Sequence, residues 1–263
     1  KKYKSEVPII IVGNLTIGGT GKTPLVKYIA TELIKLGYKP GIVSRGYGGK
    51  FKETLKVTNE TPVKQTGDEA QILSTLNIPF YIDKNRVRAL KTLNDNHNCD
   101  VIISDDGLQH YNMNRDIEIV VIDGKRRFGN NLSFPAGPLR ESLKRLDSVD
   151  FIVNNSGPTE DGEHLMNVSP AKFIHLKSGK SYSVEDWPMH KQVHAVAGLG
   201  NPGRFFDLLA RLGFDITRNP FPDHHNFISE DVHYLDHLPI IMTEKDASKC
   251  KDFDNNKIWY LTI

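Results

Sequence analysis

The chain has 263 residues, 38% of them apolar and 25% charged, with a formal net charge of +2. That length suffices for one large α/β domain or two smaller ones, and the charge is too small to point to nucleic acid as a partner. Two cysteines far apart in sequence, Cys99 and Cys250, exclude a disulfide framework and a zinc pattern and suit a reducing cytoplasm, while no run reaches the roughly 20 apolar residues of a membrane span.

The opening "KKYK" is locally basic and suits an anionic lipid surface. The chain starts without Met and enters a strand almost at once, so an N-terminal piece is expected to be missing. Apolar runs of the kind that fill buried parallel strands follow at "VPIIIVG", "PGIVSR", "CDVIISDD", "IEIVVIDG" and "DFIVNN", with helical patterns between several of them. Their alternation predicts a doubly wound parallel sheet. From about 156 the pattern weakens. "SGPTEDGEH" reads as a loop and "AKFIHLKSGKSYSVEDW" as two short strands, a hairpin near 170–192. A second, smaller α/β unit then opens with "HAVAGLGNPGRFFDLLARLGFD". The expected division is 1–155 and 156–263.

The first strand leads into "GNLTIGGTGKT", Gly13 to Thr23, and a helix follows that tolerates Pro24 in its first turn and stops at Gly37. A strand, a glycine-rich loop ending in Gly-Lys-Thr and a helix are the setting of a phosphate-binding P-loop. Thr16 stands where the usual motif has its first glycine. Backbone amides between Thr16 and Thr23, through Ile17, Gly18, Gly19, Thr20 and Gly21, are expected to surround phosphate oxygens. Lys22 then reaches the β/γ-phosphates and Thr23 offers its hydroxyl to Mg²⁺. Ile17 occupies the place where dimerising ATPases with a deviant motif carry a second lysine, which counts against that class.

Asp105 and Asp106 end an apolar strand, where adjacent carboxylates suit a bound cation. Gln109 and His110 lie within reach of the same rim, and Arg115 and Asp116 are expected to pair locally. "SRGYGG" also leaves a strand end and brings the backbone around Tyr47 close to a ligand. Asp68 and Glu69 open a helix in "TGDEAQIL". Asp68, standing before the helix body, suits a carboxylate placed near an acceptor hydroxyl. Arg86 and Arg88 on a helix and Arg140 in "FPAGPLRE" suit phosphate clamping. Gly198 to Gly203 satisfies G-x-G-x-x-G but lacks a clear ribose-binding acid on the next strand, and reads as a tight strand-to-helix turn. His224 and His225 beside Asp223 have no third ligand at metal spacing, yet suit proton handling with a carboxylate.

In this order, "VGNLTIGGTGKTP", "SRGYGG", "GDEA", "DDGLQHYNMNRD", "PAGPLRE", "GNPGRFF", "FPDHH" and "MTEKDA" closely resemble the tetraacyldisaccharide 4′-kinases, the lipid A 4′-kinases of bacteria. The resemblance implies a P-loop NTPase-type fold and ATP-dependent phosphorylation of the 4′-hydroxyl of a tetraacylated glucosamine disaccharide 1-phosphate. It implies work at the cytoplasmic face of the inner membrane, whose anionic surface is then a partner; nothing in the sequence calls for an obligate protein partner. Lys22 and Thr23 take P-loop roles, and Asp68 takes the place of the catalytic carboxylate. Glu69, Asp105 and Asp106 fall at positions associated with Mg²⁺. Tyr47, Arg88, Gln109, His110 and Arg140 fall at or near lipid- and phosphate-contacting positions. The partner of the catalytic carboxylate maps to "DHH", as His224 rather than His225. The family's hydrophobic N-terminal helix is expected to be missing here, and the C-terminus at "IWYLTI" to be short. The competing class, a nucleotide-driven binding switch or metal-insertion NTPase, would use the same loop without transferring phosphate to a substrate.

Overall fold

The computed structural model describes residues 2–263, so Lys1 of the basic opening lies outside the described residues. The chain divides into two units, Lys1–Val168 and Ser169–Ile263.

In the first unit the chain runs β1 (Ile9–Gly13), α1 (Lys22–Lys35), β2 (Pro40–Ser44), β3 (Leu55–Lys56), α2 (Val63–Thr66), α3 (Asp68–Ser74), β4 (Phe80–Ile82), α4 (Arg86–Asn96), β5 (Val101–Asp105), β6 (Ile117–Asp123), β7 (Phe151–Asn155) and β8 (Glu163–Met166). The strands make one sheet in the order β3-β4-β2-β5-β1-β6-β7-β8. All neighbours are parallel except β3 against β4. Strand side chains alternate between faces, so Ile9 and Ile11 of β1 join one core with Leu90 and Leu93 of α4. Val12 joins the other, with Val26 and Ala30 of α1 and Leu73 of α3. Two apolar faces per strand explain why the central strands read as unbroken Ile/Val runs.

β8 shifts the boundary. It pairs with β7 from Ile152↔Glu163 to Asn155↔Met166, so residues beyond 155 belong to the first sheet and that unit runs on to Val168. As the outermost strand it carries "EHLM" with Leu165 exposed, and so lacks the apolar run that marks a buried strand.

The second unit contains β9 (Lys172–His175), β10 (Ser181–Ser183), β11 (Gln192–Ala197), α5 (Pro202–Arg211), β12 (Asp215–Pro220), β13 (Ile240–Thr243), α6 (Glu244–Ala247) and β14 (Ile258–Leu261). Its sheet has the order β10-β9-β14-β13-β11-β12. β9 and β10 form the antiparallel hairpin expected near 170–192, with Phe173 opposite Tyr182. Phe173, Trp187, Phe205, Phe214 and Trp259 fill a core on one face.

Candidate active site

In the first unit the candidate residues gather at the carboxyl ends of β1, β2 and β5, where open α/β sheets bind their ligands. The turn from β1 to α1 is held from inside by Asn14, whose amide donates to the carbonyls of Thr16 at 2.8 Å and Gly18 at 3.3 Å. Gly21 caps α1 at φ +97, where a Cβ would stand 2.4 Å from the Asn155 side chain. Asn155 Nδ2, at the end of β7, donates to the Thr20 carbonyl at 2.9 Å. Arg126, just after β6, donates to Thr16 Oγ1 at 3.3 Å and to the Ile17 carbonyl at 2.9 Å. The Ile17 amide is taken by the Pro138 carbonyl at 2.8 Å. Thr16 and Ile17 thus tie the loop to its neighbours. Gly18 and Gly19 are the more open part, and a Cβ on Gly19 would meet nothing within 4 Å.

Lys22 is buried to 8% exposure, with Nζ 3.4 Å from Asp106 Oδ1. The two acidic neighbours differ sharply. Asp105 is the last residue of β5, level with Val12 of β1, and accepts from Ser44 Oγ at 3.2 Å. Burial first, then the Glu69 and Asp106 charges, push its carboxyl up to about 7. Asp106 turns out of the strand at φ +50 and meets Arg140 at 3.0 Å as well as Lys22. Burial would raise its carboxyl too, but the Lys22 and Arg140 charges outweigh it and hold it below the usual carboxylate range. Gln109 joins this rim, donating to the Asn14 carbonyl at 3.1 Å and accepting from Arg140 at 3.5 Å. His110 is held below its ordinary value by burial and by Arg86, Arg115 and Arg45, which favours the neutral ring.

Asp68 is buried at the first position of α3, after Gly67 at φ +82. A Cβ on Gly67 would stand 2.1 Å from the Tyr47 carbonyl, so only glycine lets the two loops pack this closely. That packing sets exposed Tyr47 beside the Asp68 turn. Arg88 is already held, donating to both carboxylate oxygens of Asp83 at 2.6 and 3.0 Å. Arg86 is buried and donates to the Asp83 and Asp105 carbonyls at 3.0 and 3.1 Å, so it braces the β5 end rather than facing a ligand. Arg115 pairs with Glu118 at 2.6 Å, not with Asp116, whose carboxylate instead accepts from the Ile9 amide. Asp116 serves the neighbouring strand β1, which lies too far in sequence to be inferred from spacing.

In the second unit, His224 stands half-exposed at φ +58 with Nε2 3.9 Å from Asp223 Oδ1. His225 is fixed, with Nε2 2.8 Å from Asp231 Oδ2 and its ring 4.7 Å from Phe221 and 4.9 Å from Phe227, centroid to centroid. The glycine turn after β11 is closed by the chain itself. Buried Asp246 accepts from the Gly198 amide at 3.0 Å and from Thr243 Oγ1 at 2.7 Å. The Gly198 amide is thus met by a carboxylate of the chain itself, in accord with the turn reading.

The family model described as tetraacyldisaccharide-1-P 4′-kinase matches residues 1–263. The chain belongs to the tetraacyldisaccharide 4′-kinase family. Relatives of that name are 46% identical in Ruthia magnifica and 44% in Methylobacillus flagellatus; each match covers 100% of this chain, with 84% and 79% of the relative's own length. The crystal structure of LpxK from Aquifex aeolicus in complex with ATP is similar at a TM-score of 0.81 and 27% identity, over 100% of this chain and 84% of that one.

For this kinase the family decides the enzyme class, and the geometry tests the fit of a metal. Asp105 Oδ1 is buried without a hydrogen-bond partner, and so is Thr20 Oγ1. An orphaned carboxylate oxygen beside a threonine-ended P-loop suits a hard cation. Among the described residues no group of three or more His, Cys, Asp or Glu side chains stands ready to hold a metal. Mg²⁺ ordinarily takes only one or two carboxylates and completes its shell with phosphate and water. The loop is also braced by residues that motif spacing did not point to: Asn14, Arg126 and Asn155. Their available signal was position, since Arg126 lies just past the end of β6 and Asn155 is the last residue of β7, on the loop's own edge of the sheet.

Proposed function

We propose that the chain transfers the γ-phosphoryl group of ATP to the 4′-hydroxyl of a tetraacyldisaccharide 1-phosphate, forming lipid IVA, at the cytoplasmic face of the bacterial inner membrane. The observation that carries this is a lysine-ended cradle in a chain of this family: Lys22, buried and aimed at the end of the adjacent strand. Gly18 to Thr23 would receive the phosphates of ATP, with Lys22 neutralising β/γ oxygens. Thr23, Asp105 and Asp106, with Glu69 near Asp105, are the oxygens offered to Mg²⁺. When bound, that ion would neutralise phosphate charge that builds up during transfer. Tyr47, Arg88, Gln109, His110 and Arg140 are assigned to the lipid acceptor and its phosphate. Arg88 and Arg140 come to that role already paired with Asp83 and Asp106.

Asp68 is proposed to orient the acceptor hydroxyl and take its proton, with His224 as its partner. The choice of His224 is supported by the fixed environment of His225. The test is a labelled-ATP assay with the disaccharide lipid, run with Mg²⁺ and again with a chelator. Label in the lipid, lost on chelation, is the expected result. Hydrolysis of ATP with no label in the lipid would sink the acceptor assignment and fit a nucleotide-driven switch instead.

A further inference from the structure

Between Gly129 and Ala136 the chain has eight exposed residues in succession, among them Leu132 at 52% and Phe134 at 66% exposure. Neither is disordered filler. The turn is closed on itself: Phe134 N–H donates to the Leu139 carbonyl at 2.8 Å, Leu139 N–H to the Leu132 carbonyl at 3.1 Å, and Gly137 N–H to the Ser133 carbonyl at 3.1 Å. Asn130 Nδ2 adds a bond to the Ala136 carbonyl at 2.9 Å. Backbone groups met from within are what a segment needs before it can leave water, because an unmet amide is costly in an apolar medium.

The turn is also fastened to the phosphate cradle. Leu139 is bridged to Ser133 on one side and Thr16 on the other, and Arg140 N–H donates to the Leu15 carbonyl at 2.7 Å. Ile17, 42% exposed, adds an apolar side chain from the cradle itself. Along the chain, the charged residues of the stretch that holds the turn have one sign. No acidic residue occurs from Gly124 to Arg140, a stretch that carries Lys125, Arg126, Arg127 and Arg140. Arg127 and Arg140 are paired with carboxylates. Lys125 and Arg126 are exposed, and Arg126 bonds the neutral oxygens of Thr16 and Ile17.

We propose that the 129–136 turn is a membrane-docking surface that inserts Leu132 and Phe134 into an anionic bilayer, with Lys125 and Arg126 against its headgroups. An apolar tip backed by cations is complementary to such a surface, and neither element alone would choose it over a protein partner. The inference deepens the membrane part of the proposed function and names the face involved. Because the turn is fastened to the cradle through Leu139 and Arg140, docking it brings the cradle close to the lipid surface that holds an acyl-anchored acceptor.

The experiment is cosedimentation of the full chain with phosphatidylcholine vesicles, with and without about one third phosphatidylglycerol. Leu132→Ser with Phe134→Ser is compared with the parent chain. Two large side chains leaving water support a loss of tenfold or more in partition on substitution. The parent is expected to bind the anionic vesicles, the double variant at least tenfold less, and ATP binding to be the same in both. Phe134→Trp should retain binding and shift its emission to the blue on anionic vesicles. Equal binding by parent and double variant, or no binding by the parent, overturns the proposal. So does a loss seen only when vesicles contain the disaccharide lipid, which would assign the turn to the acceptor's acyl chains, or self-association abolished by the substitutions, which would make it a contact between copies. Lipid phosphorylation in detergent micelles is scored separately. If vesicle binding falls as expected while the lipid stays unlabelled, the kinase reading fails and the surface stands; the converse result reverses the two.

Discussion

Replacing Asp105 by Asn is expected to stabilise the fold while abolishing phosphate transfer. The side chain is buried, and its proton leaves at about 7, against about 4 for an exposed aspartate. The folded chain therefore holds a proton that the unfolded chain has released between these two values. Stability contributed by the neutral carboxyl is present at low pH and falls as pH rises through that window. Three pKa units at about 1.4 kcal/mol each give an upper figure of about 4 kcal/mol above pH 7, and relaxation around the charge makes roughly 2 kcal/mol the working expectation. Asn carries no charge to strand there and keeps an oxygen for Ser44 Oγ, at 3.2 Å in the parent. Urea unfolding of both chains with a chelator present, at pH 4 and pH 8, is the assay. The variant should match the parent within error at pH 4 and exceed it at pH 8. A gap that is the same at both pH values, or a variant that is weaker at pH 8, would refute the reasoning.

Lys22→Ala should lose transfer by several orders of magnitude with the unfolding midpoint little changed, since Lys22 answers charges at the site; transfer within tenfold of the parent in a folded variant would count against the cradle. Asn155→Ala removes the donor that holds the Thr20 carbonyl, so stability should fall by about 1 kcal/mol and KM for ATP should rise more than kcat falls; an unchanged KM would mean the loop holds its shape unaided. Asp68→Ala and His224→Ala should each lower kcat much more than they raise KM for ATP, and the double variant should be little worse than the more damaging single one. Multiplying losses would show separate roles, and a dominant effect of His225→Ala on kcat without loss of stability would move the partnership to His225.

Most central strands were legible because burial on both faces demands unbroken apolar runs: β1, β2, β5 and β6 announce themselves, as does β7 through its apolar start, whereas buried β4, three residues long, did not. β8 did not, since an edge strand with one neighbour tolerates "EHLM". The cradle was legible from spacing because glycine fixes its local backbone, as Gly21 does at φ +97. Its braces were not, because Arg126 and Asn155 reach it across the sheet, more than 100 residues away along the chain. Sequence also treats Asp105 and Asp106 as twins. Asp105 is the last residue of β5 whereas Asp106 leaves the strand at φ +50, so one carboxylate is buried toward Ser44 and the other is turned out to two cations.

That division of labour bears on how the lysine is kept ready. A lysine at 8% exposure needs a compensating charge before any phosphate arrives, because a buried, unpaired ammonium is costly. Asp106 supplies that charge at 3.4 Å, and Arg140 at 3.0 Å on the other side keeps Asp106 from depending on Lys22 alone. When phosphate oxygens enter the loop and attract Nζ, Asp106 still has a cationic partner, so the exchange does not strand a bare carboxylate beside a tetra-anionic ligand. The lysine is thus ordered by the fold in advance, and most of the entropy of placing a long flexible side chain is met before ATP binds. A site built this way gains in speed of assembly what it loses in stability at Asp105, where the chain keeps a carboxylate oxygen buried and unbonded.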